Sequence, residues 1–313
     1  MNATRGERFL VTGILGCIGA WTARVLVDEG VPVVGFDLGT ATHRLELVLA
    51  PEQMEQVTVV RGDITDLAAL ERALDEHEIT NVIHLAALQV PFCKADPVLG
   101  AQVNVVGTVN VFEAVKRRRD RISHVVHASS VAVYGADDAG DEDERTRPAT
   151  HYGVYKLANE GTARIYWADD GLASVGIRPY VVYGGGRDQG LTSAATLAME
   201  AAAHGEPFNV AFGGRATYQY APDVARALIA LSRAPAEGAT VFNAGGPSVH
   251  MSEVVAAIEA AAPEVAGRIT FDDVQLPFPE ALESEAPIPL EWTPLEQGVR
   301  ETIELFRRVR VSA

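Results

Sequence analysis

Short apolar runs that alternate with helical patterns dominate the first 180 residues of this 313-residue chain. The runs are rich in β-branched residues and almost continuous in apolar ones, which is typical of strands buried on both faces of a parallel sheet. The strand-like runs are Phe9–Thr12, Val31–Phe36, Val57–Val60, Val82–Leu85, His124–His127 and Ala173–Ile177. The helical patterns between them are Ile18–Asp28, Leu67–Glu76, Val98–Arg118 and Tyr152–Ala168. The alternation predicts an α/β fold of the Rossmann type with a doubly wound parallel sheet.

The pattern becomes irregular after about residue 180, where glycine clusters and a proline-rich stretch at 277–294 interrupt it. The later predicted elements are helices at Thr192–Ala203, Asp223–Ser232, Ser252–Ala262 and Leu295–Arg308, and a strand at Val241–Asn243. We therefore predict a Rossmann domain at residues 1–179 and a smaller, mixed substrate-binding region at 180–313. A strand and a helix around 223–246 are expected to return to the first domain. The acidic stretch 137–144 predicts a solvated loop.

Charge and cysteine content exclude several classes of protein. The chain has 42 acidic and 26 basic residues, a formal net charge of −16, which disfavours nucleic acid or an anionic membrane as a partner. Its two cysteines, Cys17 and Cys93, are too few for a disulfide scaffold, and no zinc-type spacing surrounds them, so no metal site is predicted. No apolar targeting stretch opens the chain, and no apolar run approaches the length of a membrane span. We expect a cytoplasmic protein.

Three glycines, Gly13, Gly16 and Gly19, stand directly between the first predicted strand and the first predicted helix. Gly13 suits a tight turn, Gly16 lets the backbone approach a pyrophosphate, and Gly19 lets the helix pack on the strand. The free N–H groups of the helix N-terminus, around Cys17 and Ile18, would face the phosphates. The loop therefore predicts a dinucleotide site, with an ordinary strand–helix turn as the alternative.

Two aspartates end the next two predicted strands. Asp37 lies 18 residues beyond Gly19, where a carboxylate accepts hydrogen bonds from an adenosine ribose and repels a 2′-phosphate. No arginine immediately follows Asp37, so NAD is predicted over NADP. Asp63, followed by Ile64, either reaches the adenine amino group or caps the next helix.

A tyrosine and a lysine stand four residues apart in a predicted helix, and therefore on one face of it: Tyr152 and Lys156. A phenol has a pKa near 10, and a base working near pH 7 needs a pKa of about 7, which a nearby ammonium group, helped by a cationic nicotinamide ring, favours. Ser130 follows Ser129 at the end of the fifth predicted strand, at the edge of the sheet where ligands bind. These residues predict proton transfer to or from a bound hydroxyl. The alternatives are a surface cation along a tyrosine ring and a serine in a turn.

In this order the motifs resemble those of the extended short-chain dehydrogenase/reductase family, and within it the NAD-dependent epimerase/dehydratase group. The resemblance covers nearly the whole chain. Further motifs that carry it are His84–Ala87, Asn104–Thr108, Val133–Gly135, Arg178–Pro179 and Val182–Gly184.

The resemblance implies a role for each of the motif residues. It makes Tyr152 the acid/base, Lys156 the holder of the nicotinamide ribose, and Ser130 the partner of the reacting hydroxyl. It implies further cofactor contacts from Leu85, Ala86, Ala87, Ser129, Pro179 and Val182, with Asn104 helping to order the site. It also implies a homodimer in which the helices at 98–118 and 152–168 pair across a two-fold axis.

The departures from the family's pattern concern the substrate. Relatives that act on nucleotide sugars usually have Asn at the position of Val181, Arg at the position of Ala216, and a late Arg that grips the diphosphate. Here no basic residue occurs between Arg268 and Arg300. Burial of a diphosphate without such donors is costly.

We therefore predict an NAD-dependent oxidoreductase or epimerase that acts, through a keto intermediate, on a secondary hydroxyl of a small sugar, sugar acid or polyol. The alternative is a UDP-sugar 4-epimerase with an atypical diphosphate pocket, in which Arg187 or Arg215 reaches the diphosphate. A non-catalytic NAD-sensing protein is a further alternative. The predicted substrate contacts are Gln89, Ser130, Tyr180, Thr192, Ser193, Arg215 and Tyr218, and in the first interpretation Arg215 faces a carboxylate.

Overall fold

The structure is a computed structural model that describes residues 6–135 and 146–312, so the acidic stretch 137–144 lies outside the described residues. The strands of the described part are β1 (Phe9–Thr12), β2 (Val33–Asp37), β3 (Val57–Arg61), β4 (Asn81–His84), β5 (His124–Ala128), β6 (Ala173–Arg178), β7 (Val181–Tyr183), β8 (Phe208–Val210), β9 (Arg215–Tyr220), β10 (Ala239–Asn243), β11 (Ser248–His250) and β12 (Ile269–Phe271).

The helices of the same part are α1 (Cys17–Asp28), α2 (His43–Val48), α3 (Pro51–Met54), α4 (Leu67–Glu76), α5 (Val90–Ala95), α6 (Pro97–Ala101), α7 (Gly107–Lys116), α8 (His151–Asp170), α9 (Ala194–Ala203), α10 (Ala221–Arg233), α11 (Met251–Ala261) and α12 (Leu295–Ser312). A π-helical turn, Gln102–Val106, joins α6 to α7, and short 3₁₀ turns lie at Val131–Val133 and Pro263–Val265.

Seven strands form one parallel sheet in the order β10-β6-β5-β4-β1-β2-β3. The chain moves outward from β1 in one direction through β2 and β3, and then in the other direction from β4. The strand order therefore reverses between β1 and β4, which is where ligands bind in doubly wound sheets. The predicted Rossmann-type α/β fold is confirmed.

Helix α10 and strand β10 belong to the second half of the chain but pack with the first sheet. Strand β10 pairs in parallel with β6, and α10 packs against α1. Asn81 of β4 also donates hydrogen bonds to the carbonyl and the hydroxyl of Ser232 on α10, at 3.0 and 3.1 Å. We keep as a proposal that residues 1–179 bind the cofactor and residues 180–313 bind the substrate.

The remaining strands form two smaller sheets. In the order β11-β9-β7, strand β9 runs parallel to β7 and antiparallel to β11, and β12 pairs in parallel with β8. A hydrophobic core that includes Tyr134, Tyr183 and Tyr218 joins these strands to α9, α11 and α12. Four of these strands have three residues each and β9 has six, and none of the five was among the predicted elements.

The predicted helix at 98–118 is interrupted where the π turn inserts between α6 and α7. By length and composition alone, Pro97–Lys116 is the one helical stretch in the described ranges that could span a membrane. Of its 18-residue apolar segment, 44% is buried inside the fold. It packs against α4 and α8 within the fold. These contacts are those of a core helix.

Candidate active site

A cavity of about 470 Å³ lies along the carboxyl ends of the strands of the large sheet. Every predicted cofactor residue except Asn104 lines it. These are Gly13, Gly16, Cys17, Ile18, Gly19, Asp37, Asp63, Ile64, Leu85, Ala86, Ala87, Ser129, Tyr152, Lys156, Pro179 and Val182. The sequence motifs therefore converge on one site.

Two positions of the glycine loop, Gly13 and Gly19, have no room for a side chain. Gly13 has a φ of +73°, and a Cβ on it would lie 2.7 Å from the Ala86 nitrogen. A Cβ on Gly19 would collide with the Gly13 carbonyl oxygen and lie 2.7 Å from the Ile14 Cα. Gly16 is the N-cap of α1 and supplies no side-chain cap, so the first N–H groups of the helix remain open to a ligand. This cradle fits the pyrophosphate of a dinucleotide.

The two aspartates occupy the adenosine end of the cavity. Asp37 accepts hydrogen bonds from the backbone of Leu15 at 3.0 Å and of Gly39 at 2.9 Å, which fixes its carboxylate at the end of β2. Asp63 accepts from the backbone and the hydroxyl of Thr65 at 2.9 and 2.8 Å. The cap of α4 is Asp66, so Asp63 is not the helix cap that the sequence left open.

Arg44, which the sequence analysis did not single out, also lines this end of the cavity. Its guanidinium donates to the Leu15 carbonyl at 3.0 Å and pairs with Asp188, with a shortest distance of 2.7 Å. It is carried by α2, a helix of six residues that was not predicted. Arg44 thus ties the glycine loop to the segment after β7.

Helix α8 brings the predicted catalytic residues together. Thr150 caps it by accepting from the Gly153 N–H at 3.0 Å. A Cβ on Gly153 would collide with the Ala132 carbonyl oxygen, so the helix start lies directly against the turn that follows Ser130. In that turn the Ser130 hydroxyl accepts from the Ala132 N–H at 3.1 Å. This close approach sets Tyr152 beside Ser130.

Burial dominates the electrostatics of the pair on α8. Burial raises the pKa of Tyr152, and the Ser130 hydrogen bond and the Arg187 charge lower it by less. Burial also lowers the pKa of Lys156 to about 8. Lys156 donates to the Ala128 carbonyl at 2.6 Å, and its nitrogen lies 5.7 Å from the centre of the Tyr152 ring. In the chain by itself desolvation therefore outweighs the nearby charges, whereas the lowered phenol pKa expected from the sequence also depends on a cationic nicotinamide ring.

Asn104 lies beneath the cavity lining and is 1% exposed. It sits in the π turn, and its side chain accepts from the Leu88 N–H at 2.7 Å and donates to the Leu88 carbonyl at 2.9 Å. Its carbonyl accepts from Thr108 at 2.7 Å and from Asn159 of α8 at 2.8 Å. Asn104 therefore orders Leu88, which lines the cavity, and does not line the cavity itself.

Four of the predicted substrate residues line the cavity, and three do not. Those in the lining are Gln89, Ser130, Tyr180 and Thr192. Ser193 donates to the Gly190 carbonyl at 2.9 Å. Arg215 donates to the Ser248 carbonyl at 2.7 Å and pairs with Glu253 of α11 at 3.4 Å.

Tyr218 is 1% exposed and packs in the core of the smaller sheets. The prediction was wrong for Ser193, Arg215 and Tyr218. Arg215 and Tyr218 belong to β9 of the three-stranded sheet and are not in the cavity lining, and the Ser193 hydroxyl is hydrogen-bonded within its own turn.

The substrate side of the cavity gains Arg187, Gln189, Leu191 and Phe278 instead. Arg187 donates to the Gln89 side chain at 3.2 Å and to the Thr192 hydroxyl at 3.4 Å. Its Nε is buried without a hydrogen-bond partner in the described chain. The sequence analysis named Arg187 only for the diphosphate alternative. No local pattern marks Arg187 as a substrate residue, since it follows three glycines in an irregular segment.

Similarity to known proteins agrees with this geometry. Residues 9–245 match the NAD dependent epimerase/dehydratase family. The chain belongs to this family. A UDP-glucose 4-epimerase from Mycolicibacterium smegmatis is 32% identical over 320 residues, which cover 96% of this chain and 98% of that one.

Solved structures of other proteins have the same fold as this chain. UDP-glucose 4-epimerase from Thermus thermophilus, in complex with NAD, is similar with a TM-score of 0.75 and 28% identity over 96% of this chain and 99% of that chain. An L-threonine dehydrogenase from Cupriavidus necator has a TM-score of 0.80 and 24% identity over 95% and 99%, a likeness in fold alone. The predicted family, the extended short-chain dehydrogenase/reductase class of enzyme and NAD as cofactor are confirmed.

Proposed function

We propose that this enzyme oxidises a secondary hydroxyl of a small sugar acid to a ketone. The Ser130 hydroxyl holds the reacting oxygen, and Tyr152 takes its proton. NAD, when bound, accepts the hydride. Lys156 holds the nicotinamide ribose with its ammonium group. Release of the ketone completes a dehydrogenation, whereas reduction of its opposite face gives an epimer, and both outcomes use this same first step.

Arg187 is the observation that carries the choice of substrate. Of the three cations in the lining that the structure describes, Arg44 is paired with Asp188 and Lys156 lies at the catalytic helix. Only Arg187 therefore remains for an anion on the substrate side. A guanidinium binds one carboxylate bidentately, and Gln89 and Thr192 beside it suit hydroxyl groups. One such cation matches a sugar acid better than a doubly charged diphosphate.

A second candidate is a UDP-sugar 4-epimerase. Similarity over the full length to the UDP-glucose 4-epimerase of Mycolicibacterium smegmatis favours it. In that case Arg187 contacts the diphosphate.

Calorimetry with UDP separates the two candidates, because UDP occupies a nucleotide pocket whatever the sugar. We expect no binding at millimolar UDP, a standard free energy weaker than about −4 kcal/mol. Uronates and aldonates should in contrast give either NADH absorbance, if the ketone is released, or an epimer detected by NMR without net NADH. Neutral polyols of the same length serve as the matched control. Micromolar UDP binding with UDP-galactose turnover would establish the 4-epimerase instead.

We also propose a homodimer in the cytoplasm. Large apolar side chains on the outer faces of α6, the π turn and α8 are exposed, with Val98 at 69% and Ile165 at 60%. Pairing these helices with those of a second copy would cover them. Both cysteines are free thiols, which suits a reducing compartment. Sedimentation equilibrium should give a dimer at micromolar concentration, and a monomer there would contradict the assembly.

A further inference from the structure

We propose that Glu160 is a positioning residue for the reaction, which clamps α8 to the ends of β5 and β6 and keeps Lys156 charged. The inference rests on the proposed roles of Ser130, Tyr152 and Lys156.

Glu160 continues the catalytic face of α8. Tyr152, Lys156 and Glu160 follow one another at intervals of four residues, so they share one side of the helix. The Glu160 carboxylate accepts from the Arg178 Nε at 2.8 Å and from its Nη2 at 2.7 Å, and also from the Ser129 hydroxyl. Arg178 ends β6, and Ser129 follows β5 directly before Ser130. One carboxylate thus fixes the catalytic helix to both strand ends that carry the site.

The clamp extends to the far edge of the large sheet. Arg178 also donates to the Tyr134 hydroxyl at 2.6 Å, and that hydroxyl donates to the Asn243 side chain of β10 at 3.0 Å. The side chains of Glu160 and Arg178 are only 3% and 6% exposed. A buried ion pair is rarely the most stable filling of such a space, since apolar side chains of the same volume often do as well. The charge and the geometry therefore point to a role in the reaction.

Lys156 is the residue whose protonation the negative charge of Glu160 affects. The titratable groups around it are Tyr152 and Glu160 on its own helix, Cys93 of α5, His84 of β4 and His127 of β5. Burial lowers the pKa of both histidines and raises the pKa of Cys93 and Tyr152, so these four are neutral near pH 7. Glu160, in contact with Arg178, is then the neighbouring anion that favours the ammonium form of Lys156.

The test uses NADH, because it needs no substrate. Fluorescence titrations from pH 6 to 9.5 should show a level affinity at low pH for the natural chain. The affinity should fall by up to tenfold per pH unit above about pH 8, where Lys156 loses its proton. In Glu160→Gln the amide still accepts from Ser129 but carries no charge, so the fall should begin about one pH unit lower.

Three further variants keep the test decisive. Glu113→Gln removes a carboxylate that pairs with Lys116 and contacts Tyr166 away from the cavity, and it should leave the profile unchanged. If Glu160→Gln does not fold, the double variant Glu160→Gln, Arg178→Gln replaces the ion pair by two neutral amides and should show the same early fall. The proposal is overturned if the NADH affinity of either folded variant falls at the same pH as that of the natural chain. It is also overturned if the affinity of the natural chain does not fall at all. Turnover by Tyr152→Phe is measured separately, and retained turnover there would overturn the proposed function alone.

Discussion

The cofactor side and the substrate side of the cavity differ in whether backbone or side-chain atoms line them. The cofactor side is mainly backbone, because Gly13, Gly16 and Gly19 line it between β1 and the first turn of α1. The substrate side is mainly side chain, with Gln89, Arg187 and Thr192 reaching one another from separate loops. Backbone tolerates almost no added volume, whereas a side-chain contact can be replaced one group at a time. The cofactor side should therefore respond to added atoms, and the substrate side to lost charge.

The largest effect is expected where the two sides meet. Tyr152→Phe removes the proton-transfer group and should lower kcat by about 10²–10⁴-fold, while NADH affinity measured by fluorescence stays nearly unchanged. Tyr155→Phe is the matched control, since Tyr155 donates to the Pro97 carbonyl at 2.8 Å and should keep the natural rate. A Tyr152→Phe variant as fast as the natural enzyme would exclude Tyr152 as the acid/base.

The next effect tests the backbone side directly. Gly19→Ala forces a methyl group onto the Gly13 carbonyl, and overpacking of about 1–3 kcal/mol corresponds to roughly 10–100-fold weaker NAD binding by calorimetry. Gly161→Ala of α8 is the control, because Gly161 lies outside the cavity lining and a Cβ there meets no atom closer than 3.8 Å. Equal losses in the two variants would show that volume is not what limits this loop.

The substrate side should respond to charge. Arg187→Ala removes a charged donor worth about 1.5–3 kcal/mol, so kcat/KM for an acidic sugar should fall roughly 10–100-fold. Part of the fall should appear in kcat, because the Arg187 charge also lowers the pKa of Tyr152. Arg215→Ala, whose partners are Ser248 and Glu253, should change little. The reverse result would place the substrate against β9.

The smallest effect concerns the adenosine end. The natural enzyme should prefer NAD to NADP, because the fixed Asp37 carboxylate repels a 2′-phosphate. Replacing Asp37 by Ser together with Leu38 by Arg should shift the ratio of the two dissociation constants by about tenfold or more toward NADP. Equal affinities of the natural enzyme for both cofactors would remove Asp37 from this role.

The sequence predicted the cavity residues correctly where their distance from a recognisable strand or helix fixes their position at the edge of the sheet. Gly13, Asp37 and Tyr152 each stand at a fixed place relative to a strand or helix that the pattern revealed. Arg44 was not singled out, and Arg187 was named only for the diphosphate alternative, because a short helix and a glycine-rich loop carry them and neither segment has a periodicity in its sequence.

Arg215 shows the opposite error. It is close in sequence to an expected substrate position, but it opens β9, where its guanidinium turns toward Ser248 and Glu253. Its direction depends on pairing with β11, a strand of three residues that no pattern in the chain announces. Direction within a small sheet is a property of tertiary packing, which overrides local preference.

The pairing of β10 with β6 has a consequence for how such enzymes can be recombined. A fragment cut after residue 179 would leave β6 as an open strand at the end of the large sheet and would strip α10 from α1. Swapping the region after residue 180 between relatives would therefore exchange an integral part of the cofactor domain along with the specificity loops. Chimeras that instead graft only residues 184–193 would keep β10 paired with β6 and α10 packed on α1, and would exchange the segment between β7 and α9 alone.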